Sequence, residues 1–224
     1  MQLLAIETSS DACSVALYQQ GALLVHEAIM PKQHSQQLLP MIDALLAEGQ
    51  TSLTACDAIA FGRGPGSFTG VRMAAGVAQG LAFGVNRPVI PISTLAAIAW
   101  QARVTDLQTY LLATLDARMH ELYWAVYRLA ANGLEEIQAE SLTSYQDLRH
   151  FLKQAPFESP VICGPGWAAY APKEEVCWQL AAPVLPSARS IAELAALNWH
   201  QRIDPADALP RYVRDKVAVM ATIK

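Results

Sequence analysis

The sequence predicts an α/β fold built as two similar halves, and three observations carry that reading. Short apolar runs of strand length alternate with longer stretches of helical spacing. Their order, a strand meander followed by a helix and a further strand, begins near Leu3 and begins again near Tyr110. Hydrophobic residues make up 53% of the 224 positions and charged residues 16%, which suits a chain that buries a large core and excludes a disordered one.

In the first half, residues 3–6 form a continuous apolar run, 14–18 resume it, and Gln19-Gln20-Gly21 supplies a turn into 22–29. The loop between the first two runs, Glu7-Thr8-Ser9-Ser10-Asp11-Ala12, offers hydroxyls and amides that suit an anionic group; an ordinary solvated turn is the alternative. Residues 35–48 carry Leu38, Leu39, Met41, Ile42, Leu45 and Leu46 at helical spacing but on more than one face, so this helix has two surfaces to bury. Pro40 is tolerable in an early turn, which predicts a helix starting just before it, and Gly49 is the expected stop. Residues 56–61 read as a buried strand. It leads into Gly62-Arg63-Gly64-Pro65-Gly66-Ser67-Phe68-Thr69-Gly70-Val71-Arg72, the most unusual stretch of the chain. Ser67 is placed to cap a helix running to about Phe83, with Gly84 as its stop. Ala74, Ala75, Gly76, Ala78, Gly80 and Ala82 make that helix small enough for another to approach closely. A strand at 89–92 and a helix to Ala102, capped by Ser93-Thr94, complete this half.

After a linker at 106–109 the pattern restarts. Residues 110–115 and 121–129 are strands around the turn at 116–120, Ala131-Asn132-Gly133 turns into a strand at 134–139, and 144–153 is a helix. A strand at 160–163 and a helix at 191–202 capped by Ser190 follow. A ribonuclease-H-like lobe repeated twice fits this order. The expected division is 1–105 and 106–224, with the final segment in a position to pack back on the first lobe.

A formal net charge of −4 is not that of a basic nucleic-acid module. No apolar stretch is long enough for a membrane-spanning helix, and the first residues lack the basic start of a secretory signal, so the expectation is a cytoplasmic protein with no membrane association. Cys13, Cys56, Cys163 and Cys177 are widely spaced, with no CxxC pair, and are expected reduced and mostly buried.

The candidate chemistry is sparse. His26, His34, His120, His150 and His200 form no pair at metal-binding helical spacing, so no metal site is expected. The glycine-rich turn before a helix suggests an anion site with Thr8, Ser9, Gly64, Gly66, Ser67 and Arg72 as its contacts, yet it matches neither the P-loop nor the dinucleotide pattern. A rigid strand-to-helix corner is the competing reading. Ser67 is not in a GxSxG elbow, and Asp116 and Glu121 bracket a turn as a possible carboxylate pair, with a local salt-bridge cluster through Arg118 as an equal alternative. No catalytic residue is assigned.

Leu4-Ala5-Ile6-Glu7-Thr8-Ser9, the whole block from Gly62 to Arg72, Leu115-Asp116-Ala117-Arg118 with Glu121-Leu122-Tyr123-Trp124, and Ala208-Leu209-Pro210-Arg211-Tyr212-Val213-Arg214 resemble the TsaB (YeaZ) family along the full length. The resemblance implies the ASKHA fold, two ribonuclease-H-like lobes with a cleft between them. It also implies participation in forming N6-threonylcarbamoyladenosine at adenosine 37 of tRNAs that read ANN codons. The family's role is that of a non-catalytic scaffold for the paralogue TsaD, with the ATPase TsaE completing the complex. Catalytic relatives carry a metal-holding histidine pair, whereas here His34 stands alone in the corresponding region. The family often has Asp where this chain has Glu7, and Cys163-Gly164-Pro165-Gly166-Trp167 is short for a second phosphate loop. No cofactor is therefore required by this chain, and ATP or ADP is left to the complex interface.

The resemblance further implies that helices of the first lobe meet TsaD, or another copy of the chain in a homodimer. The expected interface is Leu39, Ile42, Leu46, Val71, Ala74, Ala75, Ala78 and Leu81. An acid at Ala75 or Ala78 is then expected to block association and leave the lobe folded. The tRNA is expected to be held mainly through the partners, with Arg211, Arg214 and Lys216 as a modest basic cluster. A stand-alone ASKHA-type peptidase or ATPase, or a regulatory homodimer without a tRNA role, are the alternatives.

Overall fold

Leu3, Leu4, Ala5 and Ile6 are all fully buried. Successive strand side chains point to opposite faces, so such a run survives only where both faces of its sheet are covered. In the computed structural model, which describes residues 1–102, 109–130, 133–157, 159–172, 179–181 and 184–214, this strand is β1 (Gln2–Glu7), the centre of a five-stranded sheet. It pairs antiparallel with β2 (Ala12–Gln19), Leu4 opposite Leu17, and β2 pairs antiparallel with β3 (Ala22–Ile29). On its other side β1 runs parallel to β4 (Ala58–Gly62), which runs parallel to β5 (Val89–Ile92). The order is β3-β2-β1-β4-β5.

The second sheet repeats the plan. β6 (Tyr110–Asp116) takes the place of β1, antiparallel to β7 (Glu121–Ala130) and parallel to β9 (Val161–Cys163). β8 (Gly133–Ser144) closes the order β8-β7-β6-β9. The register of β7 and β8 slips twice: Trp124 faces Ser141 but Val126 faces Gln138, so Ala139 and Glu140 stand against one residue of β7, and Tyr127 then faces Glu136. Such a bulge re-aims the side chains within it, and Glu140 is one of them.

Alternation along β1 sorts the core. Leu4 and Ile6 point to the face covered by α1 (His34–Glu48) and α2 (Phe68–Val85), through Leu38, Ile42, Leu45, Ala74 and Ala78. Leu3 and Ala5 point to the other face, where Ala97 of α3 (Thr94–Ala102) and Ile191, Ala192 and Leu194 of α6 (Ala188–Leu197) cover them. α3 turns Leu95, Ile98 and Ala99 to the second sheet, against Leu111, Ala113 and Tyr127. The far face of that sheet is covered by α4 (Tyr145–Gln154) and by Trp167 of the short α5 (Gly166–Tyr170). α6, which follows the second sheet in sequence, therefore packs back on the first lobe and covers its second face.

Several element ends differ from the sequence reading. α1 begins at His34 and accommodates Pro40 further in. α2 runs through Gly84, and its left-handed cap is Asn86, at φ 53°. α6 is capped by Ser187, whose hydroxyl accepts from the Arg189 amide, while Ser190 is buried inside the helix. β8 is far longer than the expected 134–139. The expected turn residues Ala131 and Asn132, most of the 106–109 linker, Cys177 and Lys216 lie outside the described residues. Among the described residues no helix is long and apolar enough to cross a membrane.

Candidate functional site in the cleft

The ends of β1 and β6 open on one cleft of about 970 Å³, lined by the β1–β2 loop, the glycine-rich turn, the β6–β7 turn and the chain from Arg211 to Arg214. At its base Glu7 is fully buried. Its Oε1 accepts the Ser9 amide at 2.6 Å and its Oε2 accepts the Thr94 hydroxyl at 3.4 Å. Burial dominates over these hydrogen bonds and pushes the carboxyl above its ordinary value. Gly62 makes the space, since a Cβ there would collide with the Glu7 carboxylate. Glu7 thus faces inward, away from any ligand in the cleft.

The β1–β2 loop is zipped to the glycine-rich turn. The Thr8 hydroxyl donates to the Gly70 carbonyl at 2.8 Å, and the Ser67 amide donates to the Ser9 carbonyl at 2.8 Å. Gly66 and Gly70 permit this closeness: a Cβ on either would overlap Ser9 or the Thr8 backbone. Gly64 takes φ 97°, with Arg211 main chain beside it. Thr8 and Ser9 are 1% and 3% exposed; the Thr8 hydroxyl and the Ser9 carbonyl hold the corner, while the Ser9 hydroxyl is buried without a hydrogen-bond partner among the described residues. Ser67 caps α2, its hydroxyl accepting from Gly70, which explains the serine without a nucleophilic role. Arg72 is exposed; its guanidinium lies 3.3 Å from the Phe68 ring centre, and its Nε donates to the Tyr212 hydroxyl at 2.6 Å. The expected anion cluster therefore comes together in space, but as a corner joint and a cation–π stack.

The other cations of the cleft are largely paired. Arg118 meets Asp116 at 3.2 Å, and Arg214 meets Glu121 and the Ala117 carbonyl. Arg118, Met119 and His120 are all left-handed, and the turn they make is held by Asp116, which accepts from the Arg118 amide and the Tyr170 hydroxyl. His34 is buried, its ring donating to the Ala12 carbonyl at 3.2 Å. Among the described residues no group of three or more His, Cys, Asp or Glu is placed to hold a metal ion.

The expected partner interface requires correction. Ile42, Leu46, Val71, Ala74, Ala75 and Ala78 are buried, all but Val71 within the cluster that α1 and α2 form on their own sheet. An acid at Ala75 or Ala78 would unfold the lobe and not merely block a partner. Leu81 is half-buried on the same cluster, and Leu39 alone of the eight is exposed. The solvent face of α2 is instead Gly76, Gly80, Phe83 and Gly84. A Cβ on any of these glycines would meet open space, and Phe83 is 58% exposed.

Residues 21–218 match the family model described as TsaD, tRNA N6-adenosine threonylcarbamoyltransferase. The chain is 37% identical to the tRNA threonylcarbamoyladenosine biosynthesis protein TsaB of Escherichia coli, over 97% of this chain and 96% of that one. It is 38% identical to the Haemophilus influenzae protein of the same name, over 97% and 95%. The crystal structure of a Pseudomonas aeruginosa protein described as similar to peptidase YeaZ superposes with a TM-score of 0.83 at 39% identity, over 95% of this chain and 99% of that one.

Proposed function

The chain belongs to the TsaB family, and on that premise we propose that it serves tRNA threonylcarbamoyladenosine biosynthesis as a non-catalytic subunit that docks onto a TsaD-type partner. The observation that carries the docking is the solvent face of α2. Each glycine inside a helix costs about 1 kcal/mol relative to alanine, and Gly76, Gly80 and Gly84 touch nothing among the described residues that would require one. A second helix crossing at that stripe supplies the reason, with exposed Phe83 as its apolar anchor. The non-catalytic role is supported by the cleft, where Glu7 is turned inward, Thr8, Ser9 and Ser67 hold the corner, and the arginines Arg118 and Arg214 are paired with acids.

In this reading the partner supplies the transfer chemistry to adenosine 37, TsaE completes the assembly, ATP or ADP binds at the complex interface, and tRNA is held mainly by the other subunits, consistent with a net charge of −4. Alone, the same glycine face pairs two copies of this chain. The test is reconstitution of threonylcarbamoyladenosine formation from purified TsaD-type and TsaE-type proteins with this chain, without it, and with Gly80→Leu. Omission and Gly80→Leu are both expected to abolish product, and Gly80→Leu to elute without the partner in size-exclusion chromatography. Full product in the absence of this chain overturns the role; full assembly by Gly80→Leu overturns the face.

A further inference from the structure

The chain leaves α6 and returns to the cleft, where its last described residues touch the two lobes in turn. The Arg211 amide donates to the Arg63 carbonyl at 2.8 Å, in the first lobe. The Arg211 side chain then reaches Glu140 of β8, in the second lobe, at 3.1 Å. The Tyr212 hydroxyl accepts from Arg72 of α2, back in the first lobe. Arg214 crosses again to the Ala117 carbonyl and Glu121 in the β6–β7 turn of the second lobe. Four successive anchors alternate between the lobes over four residues of chain.

Glu140 is the knot of this lacing. Its carboxylate is fully buried, and three chain segments meet on it: β8 itself, the glycine-rich turn through Arg63 at 2.9 and 3.0 Å, and the C-terminal segment through Arg211. A buried carboxylate is costly unless paired; here Oε2 accepts from Arg63 at 3.0 Å, and Oε1 lies 2.9 Å from the same guanidinium without a hydrogen bond of its own. The β7–β8 bulge places Glu140 at the seam. At the base of the cleft the lobes already share α3, with the Ser93 and Tyr127 hydroxyls 3.2 Å apart. A joint on one side and a lacing on the other is the construction of a hinged clamp.

We propose that residues 209–214 are an inter-lobe strap that holds the cleft closed, with Glu140 as its knot, so that the cleft widens only when Arg211, Tyr212 and Arg214 release. The strap differs from an ordinary docked tail in that its contacts alternate between bodies, and their loss frees one lobe to move against the other.

The test uses the full chain with Cys177→Ser and a donor and acceptor dye on cysteines introduced at exposed Ala47 of α1 and Lys153 of α4. The distribution of inter-dye distances is read by single-molecule energy transfer. Combining Arg211→Ala, Tyr212→Phe and Arg214→Ala is expected to raise the population outside the parent's distance window about tenfold or more, the factor that loss of a single charged hydrogen bond allows. Arg211→Lys, which keeps one charged contact to Glu140, is expected to lie between. Arg211 and Tyr212 are about half exposed, so the fold is expected to persist, as far-UV circular dichroism will check. Glu140→Gln, of equal size, severs the charge at the knot without touching the tail and is expected to widen the distribution too. A distribution unchanged in the triple variant and in Glu140→Gln overturns the strap.

Discussion

Glu7 and Gly62 share one volume: the carboxylate of the first occupies the place where a side chain on the second would begin. The pair sits at the C-terminal ends of two parallel strands, β1 and β4, where this architecture ordinarily presents ligand-binding groups. Here the pair fills the space with protein.

Gly62→Ala forces the Glu7 carboxylate out of its hydrogen bonds with Ser9 and Thr94. Overpacking of this kind costs about 1–3 kcal/mol. The urea midpoint should fall accordingly, with an unchanged slope, and a midpoint equal to the parent's would show that the carboxylate relocates freely.

Glu7→Gln tests the buried charge. Burial raises the folded carboxyl above its unfolded value near 4.5, so above that pH the unfolded chain holds fewer protons at this site than the folded one. Stability from this group is therefore full in acid and is lost as pH rises from about 4.5 through the raised folded value. Glutamine carries no charge at any of these pH values. The variant's urea midpoint should vary less between pH 4.5 and 8 than the parent's, and should equal or exceed it at the upper end. Parallel pH profiles would count against the upward shift of the Glu7 carboxyl.

The α2 glycines should separate stability from assembly. Gly76→Ala and Gly80→Ala place a methyl in open space, and each should stabilise the free chain by up to about 1 kcal/mol. The same methyls should weaken association with a TsaD-type partner, read by titration calorimetry. Ala78→Glu, by contrast, buries a charge in the core and should leave the chain insoluble or unfolded by circular dichroism.

Thiol reactivity should follow burial. Cys13 and Cys163 are pushed up to about 11 and about 12 by desolvation, and Cys56 is raised for the same reason. In a Cys177→Ser background, a disulfide reagent at pH 8 should modify none of the three in the native protein and all three in denaturant. Rapid native labelling would reveal an opening of the lobe that holds the labelled thiol, the first for Cys13 and Cys56 and the second for Cys163.

Much of this architecture was legible from apolar runs alone, because β1, β2, β5 and β6 are buried on both faces and read as unbroken hydrophobic stretches. β8 reads as ending at 139 because the residues beyond it, Glu140, Ser141, Thr143 and Ser144, are mostly polar, although Glu140 is buried in the fold. The glycine-rich turn announced a tight corner but not its mate, as the fit of Gly70 against Thr8 depends on two segments 62 residues apart. The interface residues were misplaced for a physical reason: alanine at close spacing marks any tight helix contact, and on α2 that contact is with its own sheet. Arg63 and Arg211 stand in motifs that give no sign of Glu140, since their meeting on its carboxylate depends on the irregular pairing of β8 and on a main-chain bond between segments far apart in sequence.

The placement of α6 bears on how the molecule is made. Leu3, Ala5, Ala58 and Ala60 leave the ribosome before the second sheet is made, yet Ile191 and Leu194, which cover them, emerge only after it. The lobe begun first is finished last, and until then a growing polypeptide displays one bare apolar sheet to the cell. A nascent chain stalled before residue 188 should accordingly be a preferred client of chaperones that hold exposed β-surface.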